Sequence, residues 1–140
     1  MPDTGNILRY TGRIISERGL RTKRQFAGPD GSLILVAAIY VATHGKQPDV
    51  FEFDEDLSIT FIASSPDAMQ AIRAFSDSLD SEPPVTEIAP GFEVPDYIEH
   101  VSHWAESGTA FCKHPPTTTR VMYQLAVAAD AIDAQQTLAA

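Results

Sequence analysis

Leu33-Ile34-Leu35-Val36-Ala37-Ala38-Ile39-Tyr40-Val41-Ala42-Thr43-His44 is the stretch on which the fold turns. It is apolar on nearly every side, so periodicity does not separate strand from helix; its length and three alanines favour a buried helix. Ser32 stands where an N-cap is expected and Gly45 where a helix ends. A helix with no polar face has to be surrounded, so this one is expected to form the spine of a core.

The segments around it carry one apolar face each. Thr4 is read as the N-cap of a helix with Ile7, Leu8, Thr11, Ile14 and Ile15 on one side, ended by Gly19. Gly28-Pro29-Asp30-Gly31 predicts a tight turn, with Phe26 tucked beneath it. Ser65-Pro66-Asp67 starts a helix bearing Met69, Ile72, Phe75 and Leu79. Pro95 opens another, with Tyr97, Ile98, Val101, Trp104 and Ala105 on its buried side. Thr117 to Thr119 cap a last helix carrying Val121, Met122, Leu125, Ala129 and Ile132. Leu57 to Ala63 alternates apolar and small polar residues and is read as a short strand, with a helical turn as the alternative. Asp80 to Pro95 holds four prolines and is expected to wrap the surface as an irregular loop. Together these predict a mainly α fold: a compact helical domain of about five helices around a buried central helix, with room for a short strand or hairpin.

The chain is 140 residues long, close to the usual size of one domain, so residues 1–140 are read as a single core with fraying near 1–4 and 134–140. Hydrophobic residues at 44% and charged residues at 21% place it among folded rather than disordered chains. Leu33 to Thr43 covers only about half of the ~20 residues a membrane span needs. Met1-Pro2-Asp3-Thr4 lacks a basic and apolar leader, and the lone Cys112 permits no internal disulfide, so a cytoplasmic location and no membrane partner are expected.

Ile14 to Gly19, the Gly28-Pro29-Asp30-Gly31-Ser32 turn and the alanine-rich helix ending at Gly45 resemble an uncharacterised family of small actinobacterial proteins, a domain of unknown function. The resemblance covers roughly the first third of the chain and rests on glycine and alanine spacings. Members often carry a cysteine in the second helix, which is absent here. The resemblance implies a compact helical fold and assigns no activity or site residue.

The net charge of -9 argues against a surface built for nucleic acid. Within that total, Arg9, Arg13, Arg18, Arg21, Lys23 and Arg24 stand against Asp3 and Glu17, so residues 1–24 carry +4 and the remainder -13. Such asymmetry lets the basic segment dock on an acidic face of its own chain, on a second copy, or on an anionic partner. From Asp49 to Asp56 five acids interleave with Phe51 and Phe53, a pattern that suits contact with a basic protein surface or simply a solvated loop. It lacks the glycine and terminal glutamate of a calcium loop.

His100, His103, Cys112 and His114 are spaced H-x2-H-x8-C-x-H, and imidazole with thiolate is the donor chemistry zinc takes. Asp96 and Glu99 stand four residues before His100 and His103, so surface carboxylate–imidazole pairs account for the same letters. No P-loop, G-x-G-x-x-G, G-x-S-x-G or H-E-x-x-H pattern occurs. The leading expectation is therefore a non-catalytic interaction or regulatory protein, self-associating or bound to a protein partner through Arg9, Arg13, Phe51 and Phe53, with no cofactor. The alternative is a small enzyme or metal-dependent binding protein, with zinc on the histidine–cysteine set.

Overall fold

The computed structural model describes residues 3–22, 26–107 and 115–139. Six α-helices and one antiparallel hairpin appear among them: α1 (Thr4–Arg18), α2 (Leu35–His44), α3 (Glu55–Ala63), α4 (Pro66–Asp77), β1 (Val85–Ala89), β2 (Phe92–Pro95), α5 (Tyr97–Ser107) and α6 (Thr118–Ala139). A turn of 3-10 helix, Asp49–Glu52, leads into α3. The mainly α expectation holds.

Helix α2 is the buried spine: Leu35 to Ile39 and Val41 are all out of solvent, against residues from α1, α4 and α5. It begins two residues later than Ser32 would have placed it. Leu33 is extended instead, its amide donating to the Gly19 carbonyl (3.2 Å) and its carbonyl accepting from Arg21 (2.8 Å), while Ile34 donates to Phe26 (3.0 Å). Those bonds commit the Leu33 backbone to its neighbours on both sides, and the Ser32 hydroxyl turns away to Asp30 Oδ1 at 2.6 Å. Gly45 ends α2 in the left-handed conformation, at φ 72°.

Capping residues set the other ends. Asp3, not Thr4, caps α1, accepting from the Gly5 amide at 3.1 Å, and Thr4 is buried as the first helical residue. Ser65 caps α4 ahead of Pro66 as expected. Asp96 accepts from the Glu99 amide at 3.0 Å at the start of α5, and Thr117 Oγ1 does the same for Arg120 at 3.1 Å before α6. Helix α6 runs from Thr118 to Ala139. It lies along α1, tied to it by Arg9 on Asp130 (3.1 Å) and Asp133 (2.5 Å).

Two segments differ from their sequence reading. Leu57 to Ala63 is helical: Asp54 accepts from the Leu57 amide at 3.0 Å, and the acids Glu55 and Asp56 occupy the positive end of α3. Ser58 and Thr60 return their hydroxyls to the carbonyls four residues back, at 2.6 and 3.0 Å. These local bonds outweigh the β-branched composition. The proline-rich 80–95 stretch is not irregular throughout, because 85–95 folds into the hairpin. Thr86 faces Val94, Glu87 faces Glu93, and Ile88 is extruded as a bulge.

Candidate functional site

Residues 53 to 61 present the most organised unpaired surface. Phe53, Leu57 and Phe61 recur every four residues and are 68%, 46% and 41% exposed. Only Ser58 and Ile62 of α3 reach the core, so one narrow stripe holds the helix down while an apolar flank stays open. Glu52, Asp54, Glu55 and Asp56 surround the start of that flank. The acidity extends to α5, where Glu106 is held above its ordinary pKa, first by burial and then by repulsion from Glu99 and Glu55.

The aromatic pair expected here divides. Phe53 is on the surface, but Phe51 is only 1% exposed, its ring edge-on to Tyr40 at 5.5 Å and tilted against Phe26 at 5.8 Å. Phe51 is therefore a core residue and no docking ring. Its carbonyl also accepts from Ala27, so the acidic loop does meet the N-terminal third, through the interior rather than through charge. Leu57 and Phe61 escaped the sequence reading because their segment was taken for a strand. Their four-residue spacing from Phe53, with Asp54 placed to cap at Leu57, is the signal that would have found them.

The two arginines also differ. Arg9 is engaged within the chain by Asp130 and Asp133, which raise its pKa through those hydrogen bonds. Arg13 has no ion pair or hydrogen bond among the described residues. Both line an open groove of about 390 Å³ between α1 and α2, together with Asn6, Ile7, Tyr10 and Ala42.

Of the histidine–cysteine set, Cys112 and His114 lie outside the described residues. His103 is exposed, while His100 is turned into the protein and only 5% exposed. Its Nδ1 lies 2.5 Å from Ser76 Oγ and its Nε2 lies 2.7 Å from Ser81 Oγ. Ser76 is 1% exposed, and the ring's tautomer sets which of the two hydroxyls donates and which accepts. Both ring nitrogens are thus engaged by hydroxyls, one as donor and one as acceptor while the ring is neutral. Burial, then the nearby His103, holds the His100 pKa below its ordinary value against the opposing pull of Asp77 and Glu82. Among the described residues no group of three or more His, Cys, Asp or Glu side chains is placed to hold a metal.

The hairpin is another exposed apolar element: every residue from Val85 to Pro95 is exposed, with Ile88 at 67% and Phe92 at 68%. Its edges are blunted by the Ile88 bulge, by Pro95 and by the facing carboxylates Glu87 and Glu93. Among the described residues, no helix is long and apolar enough to cross a membrane.

No protein-family model, curated protein or solved structure matches this chain.

Proposed function

We propose that this protein acts by binding a basic, apolar protein surface through the Phe53, Leu57 and Phe61 stripe. The observation that carries this reading is two large apolar side chains one turn apart on α3, Leu57 and Phe61, left exposed together with Phe53 just ahead of the helix and beside four carboxylates. Apolar anchors one helical turn apart, such as Leu57 and Phe61, suit a hydrophobic groove, and aromatic anchors are the residues such contacts favour. The carboxylates steer a cationic partner toward the stripe and penalise an acidic one. A cation brought near Glu55 also relieves the like-charge repulsion at Glu106. Arg9, already paired within the chain, is left out of the contact.

Calorimetric titration with an amphipathic leucine–lysine peptide tests the proposal. Saturable binding that weakens with salt, is lost in the Phe53→Ser, Phe61→Ser double variant and survives in Phe92→Ser is the expected result. Equal binding by the double variant would refute it.

A further inference from the structure

We infer that Ser81, with His100 behind it, is a nucleophilic site that takes an acyl group from a neutral or cationic ester. Three side chains stand in line from surface to core. Ser81 is exposed, with its Oγ 2.7 Å from Nε2 of the buried His100, and Nδ1 on the other side of that ring lies 2.5 Å from Oγ of the buried Ser76. An exposed hydroxyl resting on an imidazole that a third group orients is the arrangement that activates a serine. The tautomer that serves carries its hydrogen on Nδ1, donated to Ser76, and leaves the Nε2 lone pair facing the Ser81 hydroxyl. Burial and the neighbouring His103 keep the ring neutral at neutral pH, while Asp77 and Glu82 favour the imidazolium that forms when the proton moves.

In the acyl transfer, Ser81 Oγ bonds to the ester carbonyl carbon as its proton passes to Nε2. The bond from that carbon to the alkoxy oxygen then breaks, and the imidazolium returns the proton to the departing alkoxide. Water repeats the sequence, releasing a carboxylic acid and restoring Ser81. The Ser81 and Glu82 amides have no acceptor among the described residues, so the same turn offers donors to the carbonyl oxygen as it becomes negative. Asp80 and Glu82 flank the serine, and with Asp77 they repel an ester that carries a negative charge of its own. No residue of the Phe53, Leu57 and Phe61 stripe takes part.

The probe is p-nitrophenyl acetate, a neutral activated ester, added to the full chain, quenched early in acid and mapped by peptide mass spectrometry. Ser81 is expected to be acetylated about a hundredfold faster than Ser64, an exposed serine whose hydroxyl donates to the Phe61 carbonyl. His100→Gln, shown by circular dichroism to be folded, should slow that acetylation about a hundredfold. In wild type the rate should fall as pH drops below about 6.5, and in the Phe53→Ser, Phe61→Ser double variant it should be unchanged. Acetylation of Ser81 no faster than of Ser64, or an equal rate in folded His100→Gln, would overturn the inference. Should His100→Gln fail to fold, the wild-type profile decides, since a Ser81 rate that does not fall in acid would mean that no histidine serves it.

Discussion

The Ser76 hydroxyl of α4 meets Nδ1 of His100 of α5 at 2.5 Å inside the protein, so a titratable ring is held by hydroxyls and by no carboxylate. Because burial depresses its pKa, the folded state binds the His100 proton less readily than the unfolded chain does. Stability contributed by the neutral ring is present above the unfolded pKa of about 6.5 and is lost as pH falls below it. His103, Asp77 and Glu82 are the charges that act on it, and the acids limit the loss. Urea midpoints are expected to decline as pH falls below about 6.5, with the decline flattened in His100→Gln. A wild-type midpoint that rises over that range would contradict the buried neutral ring.

Phe51 and Phe53 are two positions apart and are expected to behave oppositely. Phe51→Ala empties a site shared with Tyr40 and Phe26 and should cost about 3–5 kcal/mol. Phe53→Ala, at a surface position, should stay within about 0.5 kcal/mol. Chemical denaturation of the two variants measures both.

Gly45 holds φ at 72° with nothing within 4 Å of where a Cβ would sit, so a side chain there meets backbone strain alone. Gly45→Ala should lose about 1 kcal/mol, and Gly45→Asn less, because asparagine tolerates this conformation. Thermal melts of the two variants would show the order.

The hairpin contributes pairing to itself and little to the core. Phe92→Ser is expected to leave the global unfolding free energy within about 0.5 kcal/mol of wild type. Hairpin amides should exchange hydrogen by local opening, far ahead of those of α2. Hydrogen exchange read by NMR would separate the two; equal protection would mean the hairpin is part of the cooperative core.

The helical fold was legible because its signals are local and one-sided. Leu33 to His44 has no polar face to show solvent, and Ser65-Pro66-Asp67 writes a helix start in three residues. What failed needed partners distant in sequence. The start of α2 moved because Leu33 bonds to Gly19 and Arg21, and Phe51 became core because Tyr40 and Phe26 close over it. His100 read as a surface residue until α4 brought Ser76 against it. Leu57 to Ala63 was misjudged for a local reason, since its β-branched residues obscured the Asp54 cap three positions before Leu57. That error hid two of the three side chains that form the stripe.

The docking surface is tested most directly by following backbone amide shifts while the leucine–lysine peptide is added to isotope-labelled protein. Shifts concentrated at residues 53 to 61, fading as salt is raised, are what the account predicts. Saturating shifts centred on the hairpin or on α6, with Phe53, Leu57 and Phe61 unmoved, would contradict it.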